Sequence, residues 1–210
     1  MNIVKRNNNS ISIFVDADII NTSSSIFDLE LLRQGLVSQL TKIYQNQYGK
    51  YNLTISIKIN ILLKVSQCSR TKTLFQIVDS IAGNNPAEAD FKGLRIKLNK
   101  NNIQDFISDT NFRTLPHELG HLFGWDHPHA KALFESVNPD ASSLEKTLTE
   151  TQRQCNLMSQ TWYAQKAGIS LDKAMQLTEQ QIDLLMINYN AGLLNKNYHL
   201  RGYFWWKKLI

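Results

Sequence analysis

The sequence predicts an α+β fold in which a mixed, twisted β-sheet with long helices comes first and a smaller, irregular helical region follows. Three patterns predict it. Residues 10–19 alternate apolar and polar side chains, as a half-buried strand does. Residues 29–43 carry leucine or isoleucine at three- and four-residue steps, which is the period of an amphipathic helix. Residues 53–65 alternate again and predict the longest strand of the protein.

The helix over residues 29–43 has a start signal and a stop signal. Ser25 and Asp28 have a spacing that resembles a capping box, so we expect the helix to begin just after them. Gly49 suits its end, because glycine adopts the left-handed backbone conformation that closes many helices.

A loop and a short strand follow the long strand. The loop is marked by Asn-Asn-Pro at residues 84–86. The strand carries Leu94, Ile96 and Leu98 on one face and Arg95, Lys97 and Asn99 on the other. Because a polar outer face is typical of an exposed strand, we predict that this strand lies at the edge of the sheet.

The second half of the chain predicts loop and helix. Residues 128–155 lack a regular period, and we expect at most one short helix there, near residues 143–152. Thr178 and Gln181 form a capping box, and we expect the helix that follows to run to about Gly192.

The order of these elements predicts one domain with two lobes. The domain covers residues 1–210, a length that fits a single core. We expect an upper lobe of about residues 1–124, which holds the sheet, and a lower lobe of about residues 125–210.

The composition is that of a packed globular protein. Apolar residues make up 42% and charged residues 20%, which excludes a collagen, a disordered chain and a disulfide-dense mini-protein. The net charge of +5 is small and scattered, so we expect no nucleic-acid partner. No apolar run is long enough to span a membrane. We expect a monomer.

The cysteines and the N-terminus bear on the compartment. Cys68 and Cys155 either pair in an oxidising compartment or remain two thiols, and the sequence leaves both alternatives open. Residues 1–9 are polar and are not a secretory signal peptide. We favour a secreted protein, exported by a non-classical route or trimmed to its mature domain, over a cytoplasmic one.

The residues that carry chemistry lie between His117 and His127. His117 and His121 are four residues apart, so on a helix their rings lie on one face and can bind a single ion. Glu118 is held beside that ion without being needed as a ligand. Gly124 lets the chain leave the helix sharply and return His127 to the same ion.

Three neutral imidazoles leave a fourth tetrahedral position for water, which is the layout of a catalytic zinc site. Two other interpretations stay open. The histidines could be satisfied in a core or on a solvated helix face, or Cys155 or His129 could complete a structural zinc site. Calcium is not indicated, because Asp16 and Asp18 lack the spacing of a calcium-binding loop.

The stretch from His117 to His127 resembles the signature of the metzincin clan of zinc metalloproteases, His-Glu-x-x-His-x-x-Gly-x-x-His. In that clan a tight turn follows with a methionine beneath the metal, and Asn-Leu-Met-Ser around Met158 looks like this Met-turn. A fifth, tyrosine ligand of some metzincins would fall at Gln160, so the site is similar to the three-histidine matrixin type. The cysteine pattern of archaemetzincins is absent.

The resemblance implies a metzincin-like fold with a zinc cleft and an endopeptidase that uses one catalytic Zn²⁺. Glu118 would act as the general base toward the attacking water. The substrate would lie extended along the edge strand, which here would contain Leu94 and Ile96. The pocket for the residue after the cleaved bond would be walled by Gln160, Thr161, Trp162 and Tyr163.

Other functions compete with a general endopeptidase. A lone domain of this kind could be a toxin or effector with a narrow protein target and an inhibitor or immunity partner. It could also be a zinc-bearing binding module without catalysis, although an inactive site has no use for Glu118. Hydrolysis of a non-peptide amide is compatible with the same ligands.

Overall fold

The computed structural model describes residues 2–128 and 142–196, in which seven strands and six helices occur. The strands are β1 (Asn2–Asn7), β2 (Ser10–Asn21), β3 (Asn46–Tyr48), β4 (Tyr51–Leu62), β5 (Thr73–Val78), β6 (Ala87–Ala89) and β7 (Arg95–Asn99). The helices are α1 (Leu29–Tyr44), α2 (Ile103–Ile107), α3 (Thr114–Leu122), α4 (Glu150–Gln154), α5 (Thr161–Lys166) and α6 (Glu179–Asn190). The predicted mixed α+β class is confirmed.

All seven strands form one mixed sheet. Its order is β3-β4-β2-β5-β7-β6, and β1 pairs with β2 beside this path. The inner pairs β2–β4, β2–β5 and β5–β7 are parallel, whereas β1–β2, β3–β4 and β6–β7 are antiparallel. Because α1 connects the parallel strands β2 and β4, it crosses one face of the sheet.

The core lies between that face and the helices. The alternation of β2 is confirmed, since the side chains of Ile11, Ile13, Val15, Ala17 and Ile19 are all buried. Register pairs Ile11 with Leu53 and Ile19 with Ile61, which places the apolar face of β4 beside that of β2. The helix contributes Leu32, Leu36, Leu40, Ile43 and Tyr44 to the same cluster.

The ends of two predicted elements differ from expectation. Asp28, not Ser25, caps α1, because its carboxylate accepts hydrogen bonds from the backbone N–H groups of Glu30 and Leu31. Gly49 does not close this helix; it has a φ of 56° in the turn between β3 and β4. The long strand stops at Leu62, and the chain turns into a short 3-10 helix that includes Val65.

The expected edge strand is an inner strand, and this prediction was wrong. Strand β7 pairs with β5 on one side and with β6 on the other, so β6 is the edge. The polar face of β7 suggested an exposed strand, but its long cationic side chains are paired with carboxylates: Arg95 contacts Asp90, and Lys97 contacts Glu88. Long stems of Arg and Lys cover apolar surface while their charged ends reach a partner.

The second described segment continues with helices and turns. The capping box at the start of α6 is confirmed by the reciprocal bonds of Thr178 and Gln181. Where we expect at most one short helix, near residues 143–152, the structure has a 3-10 helix at Glu145–Thr147 and then α4, which begins at Glu150 and ends beyond that range at Gln154. No helix among the described residues is long and apolar enough to cross a membrane.

The cysteines are two free thiols. Cys68 packs beside Ile20 and Leu74, whereas Cys155 lies at the end of α4, and both are partly exposed. The disulfide alternative is therefore wrong for this structure. His129 lies outside the described residues.

Candidate metal centre

Helix α3 places three of the predicted residues on one element. Pro116 lies in its first turn, where proline costs no internal hydrogen bond. His117, Glu118 and His121 follow, and the helix ends at Leu122. Gly124 has a φ of 82°, and this left-handed residue turns the chain back toward the histidines.

The rings of His117, His121 and His127 converge. Their candidate ligand atoms all lie within 4.8 Å of one another, and they form the one such group of three found in residues 2–128 and 142–196. The Nε2 atoms of His117 and His127 are 3.1 Å apart. Two nitrogens bound to one tetrahedral zinc at 2.0–2.1 Å would be separated by about 3.3 Å, so the spacing fits such an ion.

Backbone carbonyls orient two of these rings. His117 Nδ1 lies 2.9 Å from the carbonyl oxygen of Leu157, and His121 Nδ1 lies 2.8 Å from that of Trp125. A carbonyl only accepts, so each Nδ1 carries the proton and each Nε2 presents its lone pair to the shared centre. The donor set therefore fits a divalent metal that prefers nitrogen, and zinc is the common case.

Burial favours the neutral form of both rings. It lowers the pKa of His117 well below its ordinary value, and the nearby His121, His127 and Arg113 lower it further. Burial also lowers the pKa of His121. Neutral imidazole is the form that binds a metal.

Glu118 lies beside the histidines and is 9% exposed. Burial is the main cause that raises its pKa to about 7; a hydrogen bond from the backbone of Ala89 opposes the shift, and the charge of Glu88 adds a smaller upward contribution. This bond ties the carboxylate to the edge strand β6. The structure thus brings Glu118 together with the three histidines in one cleft.

The cleft has a volume of about 510 Å³ and is lined by residues of α3 and of two other segments. The edge side is formed by Ala87, Glu88 and Ala89 of β6. The lining also includes Gln160, Thr161 and Trp162, at the start of α5. Three of the four residues predicted to wall the pocket therefore line the cleft.

The other predicted substrate residues lie elsewhere. Tyr163 is not among the lining residues, and its hydroxyl donates to Glu150 instead. Leu94 and Ile96 are 6% and 0% exposed and belong to the interior of the sheet. Their placement was wrong because the edge belongs to β6. A second cavity, of about 530 Å³, lies between α4 and α6; Cys155 lines it, but none of the residues predicted for the catalytic site or the substrate pocket does.

Met158 lies in a turn that packs against α3. Its side chain is fully buried, and a Cβ added at Gly120 would overlap its Sδ atom. The side chain of Asn156 accepts a hydrogen bond from Met158 N at 2.8 Å. The amides of Asn156 and Gln181 also bond each other in both directions, which ties this turn to α6.

Two residues that the sequence did not single out form hydrogen bonds to the segments next to the three histidines. Arg113, four residues before His117 and lining the same cleft, donates hydrogen bonds to the turn that contains Met158. Glu145 accepts a hydrogen bond from the backbone N–H of Asp126, next to the third histidine. The carboxylate of Asp126 accepts a hydrogen bond from the backbone N–H of His127 at 2.7 Å. Only the spacing of Arg113 from His117 was a usable sequence signal.

The structure also bears on a fourth protein ligand. Cys155 is not a member of the group formed by the three histidines, so its role in a structural zinc site has no geometric support. His129, the other candidate, is outside the described residues.

Comparison with solved structures gives a structural likeness at low sequence identity. No protein-family model matches the chain, and no curated protein matches its sequence. A solved structure to which the chain is similar is that of archaemetzincin from Methanopyrus kandleri, at 12% sequence identity and a TM-score of 0.44. The match covers 84% of this chain and 96% of that chain. A likeness at this level assigns no family, so the case for a function rests on the site.

Proposed function

We propose that this protein is a zinc-dependent endopeptidase in which His117, His121 and His127 hold the metal and Glu118 is the general base. One observation carries the proposal: three imidazoles converge, two of them with the tautomer that presents Nε2, beside a carboxylate in an open cleft. A core or surface histidine cluster would have no reason for that combination.

The chemical roles of the metal and of Glu118 follow from the residues that line the cleft. When bound, zinc would polarise the substrate carbonyl and acidify water in the cleft. Glu118 would accept the proton from the attacking water and then deliver it to the nitrogen of the departing amine. Its hydrogen bond from Ala89 holds the carboxylate between α3 and β6. The deep burial of Glu118 limits the number of positions that the carboxylate can adopt.

The cleft supports an extended peptide as the substrate. Strand β6 is the edge of the sheet and lines the cleft, so a peptide can pair with its backbone as an added strand. Gln160, Thr161 and Trp162 also line the cleft and would shape the pocket for the residue after the cleaved bond. We place the boundary between the two lobes at this cleft.

The turn around Met158 would serve as the Met-turn of a three-histidine site. Its support is the contact of the buried Met158 with α3 at Gly120 and the hydrogen bond that His117 Nδ1 donates to the carbonyl of Leu157. Gln160 stands where a tyrosine ligand would be needed, and this favours the matrixin type over metzincins with a fifth ligand.

The test is cleavage of a diverse peptide mixture, followed by mass spectrometry. We expect cuts by the zinc-loaded protein that a chelator abolishes. Glu118→Ala should retain zinc and lose about 10²–10⁴-fold in rate, because general-base catalysis contributes that much. Glu30→Gln, which removes an exposed carboxylate from α1, is the matched control and should cleave at the wild-type rate.

Full activity in Glu118→Ala would refute the mechanism. Zinc bound by the wild type without any cut in the mixture would refute a general endopeptidase and favour an effector with a narrow target or a binding module.

A further inference from the structure

Among the cationic side chains that the structure describes, that of Arg113 is unusual. It is 8% exposed, and its hydrogen bonds go to backbone carbonyls rather than to a carboxylate. Nε donates to Ala174, and Nη2 donates to Asn156, Leu157 and Ser159. No described carboxylate of residues 2–128 and 142–196 forms an ion pair with it.

These acceptors belong to the turn that holds Met158 and to the segment that runs beside it. Leu157 N bonds to the carbonyl of Gln176, so the two segments are already paired. The guanidinium binds carbonyls from both of them and fixes the direction in which the turn carbonyls point. Burying a cation is costly, and four carbonyl dipoles offset that cost.

One of these carbonyls reaches the metal centre. The oxygen of Leu157 accepts from Arg113 Nη2 at 2.8 Å and from His117 Nδ1 at 2.9 Å. The backbone closes the same loop, because His117 N donates to the carbonyl of Arg113 at 3.1 Å. Arg113 and His117 are one helical turn apart and share the Leu157 carbonyl as an acceptor. A displacement of that carbonyl would therefore rotate the imidazole ring of His117 or break the hydrogen bond from its Nδ1.

We propose that Arg113 is a positioning residue for the metal centre: it fixes the Leu157 carbonyl, and through it the tautomer and the orientation of His117. This inference rests on the proposed zinc site. The paired amides of Asn156 and Gln181 already hold the turn in place. The role of Arg113 is therefore to orient the Leu157 carbonyl and not to form the turn.

Lysine cannot replace arginine in this role. A guanidinium is a planar fork that can donate to Ala174 on one edge and to Leu157 on another. An ammonium donates from a single atom and cannot span the two segments. Arg113→Lys therefore keeps the positive charge but no longer fixes the direction of the Leu157 carbonyl.

The experiment compares zinc binding in Arg113→Lys with Arg153→Lys, measured by competition with a fluorescent chelator. Arg153 is the matched control because it is 7% exposed and also donates to a carbonyl, that of Leu148, yet does not contact Leu157. We expect the zinc dissociation constant to rise about 10–100-fold in Arg113→Lys, the usual effect of losing an outer partner of a ligand. In Arg153→Lys it should change less than about 3-fold, well below that effect.

A second measurement separates an effect on the geometry of the metal site from an effect on the stability of the fold. In the cobalt-substituted proteins, the visible absorption bands should shift in Arg113→Lys and stay as in the wild type in Arg153→Lys. The melting temperatures of the two metal-free variants should be similar. In ¹⁵N-histidine spectra of the metal-free protein, the Nδ1–H form of His117 should be lost only in Arg113→Lys.

Each outcome decides. Equal zinc affinity and equal cobalt spectra in the two variants would overturn the inference and leave the proposed function intact. Failure of the wild type to bind zinc would overturn the proposed function itself. Should Arg113→Lys not fold, Arg113→Met takes its place as a neutral variant of similar length; failure of both to fold would assign Arg113 to folding and overturn its positioning role.

Discussion

Glu145 offers a stability measurement that is independent of catalysis. It is 1% exposed, and its carboxylate accepts hydrogen bonds from Asp126 N, from Ser142 N and from the Ser142 hydroxyl. These bonds favour the charged form, and the nearby charge of Asp126 disfavours it. Burial outweighs the hydrogen bonds and raises the pKa of Glu145 from an ordinary 4.5 to about 7. Glu145→Gln removes the titration and keeps the shape.

The sign and size of the effect follow from linkage. A carboxyl group with a higher pKa in the folded state binds its proton more tightly there, so Glu145 contributes stability fully below pH 4.5 and loses it as the pH rises through about 7. The difference between these two pKa values corresponds to about 3 kcal/mol in the free energy of unfolding. Between about pH 4 and 8, the wild type should lose this amount relative to Glu145→Gln.

The assay is urea denaturation of the metal-free proteins across that pH range, read by tryptophan fluorescence. Glutamine also places an N–H₂ group among donors, which lowers stability equally at every pH, so only the pH-dependent part is compared. Glu150→Gln is the control with the opposite sign: burial raises the pKa of Glu150, but hydrogen bonds from Tyr163, Arg153 and Gln154 together outweigh it and lower the pKa. A wild-type-to-Glu145→Gln difference that stays constant with pH would refute the account of Glu145.

The remaining predictions concern packing and metal linkage. Gly120→Ala should lower the free energy of unfolding by about 1–3 kcal/mol in urea denaturation, because the new methyl overlaps Met158; unchanged stability would contradict the contact. Trp125→Phe should cost about 1–3 kcal/mol by the same assay, since the carbonyl of Gln181 loses the indole N–H that lies 2.7 Å away. Zinc at 100 times the wild-type dissociation constant should add about 2.7 kcal/mol to the free energy of unfolding of the wild type. An equal gain in His127→Ala at the same free zinc concentration would exclude His127 as a ligand.

Elements with strong local signals were predictable. The alternation in β2, the three- and four-residue period of α1 and the capping box of α6 each depend on neighbouring residues. The histidine motif is local in the same sense, because a helix and one glycine bring the three rings together. The convergence of the candidate ligands followed from that spacing alone.

Features that depend on distant partners were not predictable. Strand β5 is almost wholly buried and carries no alternation, since both of its faces are covered as in other inner parallel strands. Strand β6 pairs with β7 on the outside of the sheet and places Glu88 beside Lys97, a contact that the alternation of β7 does not reveal. The contacts of Arg113 join it to carbonyls between 43 and 61 residues away, and no local pattern encodes them.

The most direct test of the central claim is X-ray absorption spectroscopy at the zinc edge of the protein loaded with one equivalent of zinc. A catalytic centre formed by His117, His121 and His127 predicts three imidazole nitrogens at about 2.0–2.1 Å and one further light atom from solvent. A sulfur neighbour at about 2.3 Å would instead indicate a closed structural site with a cysteine ligand and would contradict the proposed endopeptidase.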